Sequence, residues 1–143
     1  MSLVVLGLSG ALTHDPSAAL YIDGELIAAA EEERFTRQKH AKNAMPLHAA
    51  RYCMREAGIR PGDIDVVAFP FAKISLLSKG RWHYARRHWY APDRALDAIF
   101  NGNRHYRRNV KKVRELLQEL GIDWGKIEFD PVEHHLAHAS SAY

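Results

Sequence analysis

The sequence has a single cysteine, Cys53, and no long uninterrupted hydrophobic run. One cysteine excludes an intramolecular disulfide and a metal cluster built of cysteines alone, and it is typical of a protein kept in a reducing cytoplasm. Because no apolar stretch approaches the roughly 18 residues that span a bilayer, no membrane partner is expected. Residues 1–10 are apolar but lack the basic start and cleavage site of a signal peptide, so they are interpreted as a strand.

Acidic residues are scarce in one part of the chain, residues 79–112. This stretch holds ten of the twenty Lys and Arg residues and two acids, Asp93 and Asp97. Aromatic and cationic side chains alternate from Trp82 to Tyr90, a composition that suits stacking on bases and contact with phosphates. One hypothesis is therefore a nucleic-acid-binding module without catalysis. The alternatives are an amphipathic insertion packed on the domain, or a surface that meets another domain or a homodimer partner.

With 143 residues, 47% of them hydrophobic, the chain is expected to form one α/β domain. Asp23-Gly24 indicates a tight hairpin, because both central positions of a type I′ turn require positive φ. Apolar periodicity predicts two helices, one ending at Gly58 and one at Gly121. Residues 34–45 and the first half of 79–112 show no clear period. The predicted strands are 3–9, 17–23, 25–33, 64–70 and 126–130, and the first predicted helix is 46–58.

The end of the sequence, "VEHHLAHASSAY", contains a histidine pair four residues apart. Asp130 as N-cap and Pro131 at the first helical position predict a helix from there onward. His134 and His138 would then lie one turn apart, and two such imidazoles can reach one divalent ion at about 2.0–2.1 Å. The alternative is a pair of surface histidines on an ordinary helix. Two ligands do not complete a metal site, so further ligands are expected.

The segment "SGALTHDPSA", from Ser9 to Ala18, is interpreted as a polar loop between the first two strands. Small residues, hydroxyls and exposed amides in such a loop can hold an anion such as phosphate. His14, Asp15 and Ser17 offer polar groups to a ligand. The alternative is a simple turn in which Asp15 bonds its own backbone.

Several separated blocks occur together and in a fixed order: "GLSGALTHDPSAALYIDGELIAAAEEERFTRQKHA", "MPLHAARYCMREAGI" and "HHLAHASSAY". This combination resembles the amino-terminal part of the O-carbamoyltransferase family, of the nodulation protein U and antibiotic-tailoring types. The resemblance covers residues 3–69 and 125–143 well, and the middle only in position and length.

The resemblance implies that residues 1–143 are the amino-terminal portion of an actin-like (ribonuclease H-like, Kae-type) domain. In that family, a second, YrdC-like domain makes carbamoyl-adenylate from carbamoyl phosphate and ATP. The actin-like domain then moves the carbamoyl group to a hydroxyl of a small-molecule natural product. The chain is accordingly expected to be a fragment that is inactive alone and binds metal weakly, if at all.

The resemblance also implies roles for individual residues. His134 and His138 would bind an iron-type divalent ion, and the loop with Ser9, Asp15 and Ser17 would face the phosphate. Lys39 would approach the phosphate or the carbamoyl oxygen; the alternative is a solvated surface lysine. His14 or His40 would accept the proton of the acceptor hydroxyl. The sequence departs from the family pattern at Ala41, where the family has an acid. Strand-end solvation, or ion pairs with Arg34 and Arg37, is expected for three consecutive acids, Glu31, Glu32 and Glu33.

Overall fold

The computed structural model describes residues 2–10, 15–73, 75, 78–101, 103–134 and 136–137. Two residues with predicted roles in the site, His14 and His138, lie outside these ranges. Within the described ranges, no helix is long and apolar enough to cross a membrane.

A five-stranded mixed sheet organises the fold, in the order β3-β2-β1-β4-β5. β1 and β2 pair antiparallel, as do β2 and β3, whereas β4 is parallel to both β1 and β5. Asp23 and Gly24 both have positive φ, which confirms the hairpin predicted from this dipeptide. The α/β class predicted from the sequence is therefore confirmed. The strands are β1 (Val4–Ser9), β2 (Ser17–Ile22), β3 (Glu25–Glu31), β4 (Val66–Phe69) and β5 (Glu128–Pro131).

The α-helices in the described part of the chain are α1 (Glu33–Thr36), α2 (Leu47–Glu56), α3 (Lys79–Arg87), α4 (Pro92–Phe100) and α5 (Arg104–Leu120), and two short 3-10 helices are Lys39–Ala41 and Pro61–Asp63. The hydrophobic core lies between one face of the sheet and the helices α2 and α5. Leu6 and Leu8 on β1 alternate with half-buried residues, as a strand with one covered face requires. They contact the same cluster as Cys53 of α2 and Leu117 of α5.

The basic stretch differs from its sequence interpretation, because its first half forms two helices, α3 and α4. The main core cluster of the described residues includes none of residues 79–100. Instead, α3 and α4 pack on each other, and the buried Arg81 donates a hydrogen bond to the Ile99 carbonyl at 2.9 Å. Their apolar residues therefore do not follow the pattern of a helix that covers a sheet, which explains why no period was evident.

The prediction that Asp130 and Pro131 begin the last helix is wrong. Both residues belong to β5, where they pair with Ala68 and Phe69 of β4. Proline is tolerated there because β5 is an edge strand of the sheet. The helical turn begins later and is capped by Glu133, whose carboxylate accepts a hydrogen bond from the Leu136 N–H at 2.9 Å. The Glu133 carbonyl accepts a hydrogen bond from the Ala137 N–H at 3.0 Å.

Candidate functional site

A cleft of about 760 Å³ lies at the end of the sheet where the parallel strands finish. Ser9 ends β1, Pro70 follows β4 and Val132 follows β5. Because these three strands are parallel, residues that are distant along the chain lie together at the carboxyl ends of the strands. Ligands of open α/β sheets bind outside the carboxyl ends of the strands. The floor consists of small residues of four strands, and the walls carry larger side chains: Gly7, Ala19, Ala29 and Ala68, and Arg34, Phe35 and Tyr52.

Two of the three residues predicted to contact phosphate, Ser9 and Ser17, line this cleft. They are direct partners in the β1–β2 register, and both are half-buried. The sheet therefore presents two neighbouring hydroxyls at the cleft edge, and each can donate one hydrogen bond and accept others. Binding of phosphate by this pair stays a prediction.

The third residue, Asp15, pairs with His40. The Asp15 carboxylate lies 2.8 Å from His40 Nδ1, and the Asp15 N–H donates to the His40 carbonyl at 2.9 Å. An ionised carboxylate only accepts hydrogen bonds, so Nδ1 carries the proton, and a neutral ring has its lone pair on Nε2. This arrangement gives His40 the form that a general base needs.

His40 sits in a strained segment of backbone. Its φ is +63°, and positive φ also occurs at Asp15, Arg37, Ala41 and Asn43. Each such residue costs on the order of 1–3 kcal/mol and persists only where its surroundings hold it, most often at functional sites. The Glu33 carboxylate accepts a hydrogen bond from the His40 N–H at 3.0 Å. The loop is thus held in this shape by contacts to both its backbone and its ring.

The two positions next to His40 differ in their exposure. Lys39 is exposed, and its predicted contact with phosphate or the carbamoyl oxygen stays a prediction. Ala41, where the resembling family has an acid, is 1% exposed. Its methyl group therefore contributes to packing and offers no polar group to a ligand.

Sequence reasoning missed the most buried acid of the described residues, Glu32. Only 2% of it is exposed, so the expected solvation of this residue is wrong, whereas Glu31 pairs with Arg34 at 3.2 Å as expected. The Glu32 carboxylate accepts hydrogen bonds from the backbone N–H groups of His48 and Ala49, at 3.2 and 2.9 Å. His48 Nδ1 lies 2.6 Å from the same carboxylate.

Glu32 therefore caps the start of α2 from a distance of sixteen residues along the chain. An anion at this end of a helix satisfies unpaired N–H groups and opposes the positive end of the helix dipole. The sequence did hold a signal for it. Pro46, which precedes α2, has no side-chain oxygen to cap the helix, so a helix start without a local cap required an acceptor from elsewhere.

Glu32 also ties down the loop that carries Asp15. The Glu32 N–H donates to the Pro16 carbonyl at 2.8 Å. On the other side of the loop, Gly10 approaches Pro16 so closely that a Cβ at Gly10 would lie 2.4 Å from the Pro16 Cα. Gly10 also has a φ of +105°, which L residues with side chains rarely adopt. The base of the loop is thus fixed from both ends.

His134 lies at the same edge of the sheet, with its ring held in a defined orientation. Nδ1–H donates to the Pro70 carbonyl at 3.1 Å, and the ring stacks on Phe71 with centroids 4.9 Å apart. A carbonyl only accepts, so the lone pair of a neutral ring is on Nε2. Metal-binding histidines typically donate their other N–H to a carbonyl or carboxylate in this way. His134 therefore fits the predicted metal role, and Ala137, one turn on, lines the cleft.

Comparison with known proteins connects this site to a family. The family profile described as Carbamoyltransferase N-terminus matches residues 4–143. Nodulation protein NolNO of Sinorhizobium fredii is 35% identical over 162 aligned residues, which cover 99% of this chain and 21% of that protein. An uncharacterized protein of Synechocystis sp. is 35% identical over 145 residues, covering 97% of this chain and 23% of that protein. The chain thus spans about a fifth of the length of these relatives.

Among solved structures, YeaZ from Pseudomonas aeruginosa is similar with a TM-score of 0.42 and 15% sequence identity, over 90% of this chain and 43% of that one. The profile match extends over nearly the whole chain and includes the Asp15 loop, the strained His40 segment and the start of the His134 turn. The chain belongs to the carbamoyltransferase family and corresponds to its amino-terminal part.

Proposed function

We propose that the chain forms the carbamoyl-transfer cleft of an ATP-dependent O-carbamoyltransferase. The substrates are carbamoyl phosphate and ATP, the intermediate is carbamoyl-adenylate, and the acceptor is a hydroxyl of a small-molecule natural product. The main support is the contact between Asp15 and His40, in which the Asp15 carboxylate oxygen lies 2.8 Å from His40 Nδ1. Asp15 is two residues before Ser17, which lines the cleft.

In this proposal, His40 Nε2 accepts the proton of the acceptor hydroxyl as its oxygen attacks the carbamoyl carbon. Asp15 keeps the ring in the required tautomer and offsets the positive charge that develops on it. His14, which lies outside the described residues, is the other proposed proton acceptor.

Ser9 and Ser17 contact the phosphate side of the mixed anhydride in the same proposal. Lys39 adds positive charge from the exposed loop. Adenylate leaves with a growing negative charge, which hydroxyl donors and an ammonium group stabilise.

A divalent, iron-type ion fits the donor chemistry at His134, and we propose that His134 and His138 hold it. When bound, such an ion supplies Lewis-acid stabilisation of phosphate charge. The chain's own contribution is orientation, since the Pro70 carbonyl and the Phe71 ring fix the His134 imidazole. A YrdC-like domain is the proposed partner that makes the adenylate.

Titration of the chain with a non-hydrolysable sulfamoyl analogue of carbamoyl-adenylate tests this proposal. We expect saturable binding, measured by calorimetry, and a loss of about tenfold or more in affinity for Ser17→Ala, because a hydrogen bond to a charged group is lost. Ser78→Ala, at the start of α3 and away from the cleft, is the matched control. A chain that is folded but does not bind the analogue would contradict the proposal.

A further inference from the structure

The hairpin formed by α3 and α4, residues 79–100, carries a disproportionate share of the exposed apolar surface. Of the twelve large hydrophobic side chains that are exposed in the described residues, six belong to this hairpin. Trp89 is 80% exposed and Phe100 71%, while the main core cluster includes no described residue of the hairpin. The other four are Trp82, Tyr84, Tyr90 and Leu96. Exposed apolar surface on this scale typically marks an interaction site.

The same hairpin and the helix after it are strongly basic. Arg86, Arg87 and Arg94 are exposed on α3 and α4. Exposed cations continue through the first half of α5, which has no acid in its first turn. Cations at this end oppose the helix dipole, so an anionic surface would relieve an unfavourable interaction. The exposed cations of this first half of α5 are Arg104, Arg107, Arg108 and Lys111.

We propose that the 79–100 hairpin docks on the surface of an anionic lipid bilayer. Trp, Tyr, Phe and Leu side chains mixed with Arg and Lys form the combination that enters the boundary between headgroups and acyl chains. Anionic headgroups attract the surrounding cations. This differs from the expectation of no membrane partner, which followed from the lack of a spanning run. A peripheral hairpin needs no such run.

Two other occupants fit the surface less well. A third, another domain of a protein as long as the matched relatives, is the occupant that remains if the chain binds no vesicles. A second copy of the chain would oppose like charges if the hairpins met face to face. For single-stranded nucleic acid, Leu96 offers no stacking face, and His88 is already stacked on Tyr84 with centroids 4.0 Å apart.

Flotation with lipid vesicles tests this inference on the chain as it stands. We expect the chain to float with vesicles of phosphatidylcholine that contain about a third phosphatidylglycerol. With vesicles of pure phosphatidylcholine, we expect the chain to remain in the bottom fraction of the gradient. The double variant Trp89→Ser/Phe100→Ser should lower binding about tenfold or more, since two large apolar side chains are lost. The matched control, Leu3→Ser/Leu26→Ser, removes two exposed apolar side chains, one just before β1 and one on β3, and should bind normally.

Tryptophan emission provides an independent measurement. Trp124 packs on Phe129, whereas Trp89 is exposed, so vesicles should shift the emission to shorter wavelength through the hairpin tryptophans. Trp89→Phe should reduce the shift while binding persists. No flotation with anionic vesicles, or flotation that the hairpin double variant does not weaken, would overturn the inference. Salt-sensitive binding of a single-stranded oligonucleotide without any vesicle binding would overturn it in favour of nucleic acid.

Discussion

Glu32 shows how much of the site depends on one residue outside the cleft. It joins β3, the start of α2 and the Asp15 loop through its carboxylate and its N–H group. A buried acid with these partners is favourable only while all of them are present, because an unsatisfied buried group is costly. The side chain that sequence inspection assigned to solvent therefore holds the start of α2, while the backbone N–H of the same residue holds the end of the Asp15 loop at Pro16.

We predict that Glu32→Gln lowers the free energy of unfolding by about 1–3 kcal/mol, since the charge that α2 and His48 require is lost. Urea denaturation measures the loss. Glu31→Gln is the control, because the Glu31 side chain is 49% exposed and pairs with an exposed arginine. That change should stay within about 0.5 kcal/mol. Equal losses for the two variants would refute a special role for Glu32.

The Cys53 thiol gives a pH dependence with a definite sign. Burial raises the pKa of the Cys53 thiol, so the folded state keeps the proton where the unfolded state, with a thiol pKa of about 8.5, loses it. The contribution of this thiol to the free energy of unfolding is complete below the pKa that the thiol has in the unfolded chain. It falls as pH rises above that pKa, since the unfolded chain then binds fewer protons than the folded chain.

We therefore expect the unfolding free energy to fall more steeply above about pH 8.5 for the native chain than for Cys53→Ala. Urea titrations at a series of pH values give the slope of the unfolding free energy against pH for each chain. The loss of packing in Cys53→Ala does not depend on pH, so it does not affect the comparison of the slopes. Parallel slopes would show that the Cys53 thiol ionises equally easily in both states.

Among the helices and strands, sequence patterns correctly located the elements that depend on local residue preferences. The Asp23-Gly24 hairpin follows from turn geometry, and α5 follows from apolar residues three and four apart with Gly121 as its left-handed cap. Asp130-Pro131 has the local features of a helix start, but pairing with β4 places it in a strand. Local preference could not reveal that partner, which is distant along the chain.

The candidate site also has a part that the sequence could predict and a part that it could not. Ser9, Asp15, Ser17 and His40 could be named from the sequence, because they belong to motifs that resemble a family. Their arrangement could not be predicted from local patterns, since it depends on contacts between separate segments, such as the 2.8 Å contact between Asp15 and His40. The helices α3 and α4 escaped prediction because they pack on each other and not on the core.

The loop between β1 and β2 provides a test at this scale. Gly10→Ala should weaken binding of the adenylate analogue about tenfold or more and lower stability by about 1–3 kcal/mol, because a Cβ would collide with Pro16 and φ is positive. Calorimetry and urea denaturation report the two effects. Gly62→Ala is the control, since a Cβ added there would meet nothing within 4 Å and its φ is not in the positive range. Unchanged binding by Gly10→Ala would separate this loop from the ligand site.

For the whole molecule, the metal proposal predicts an incomplete site. In that proposal, His134 and His138 supply two nitrogen ligands, whereas divalent transition metals usually take four or more. We expect the chain to bind Co²⁺, used as a spectroscopic probe, weakly, and His134→Ala to abolish that binding. His83→Ala, an exposed histidine of α3, is the control. Tight binding that survives His134→Ala would place the metal elsewhere.

The contact between His134 and the exit of β4 has one further consequence. Pro70 and Phe71, which orient the imidazole, are also the first residues of the segment that leads to α3. The hairpin is therefore tethered to a wall of the cleft by a short stretch of backbone. A displacement of this backbone would move the Pro70 carbonyl and the Phe71 ring, so the orientation of the His134 imidazole depends on the backbone that leaves β4.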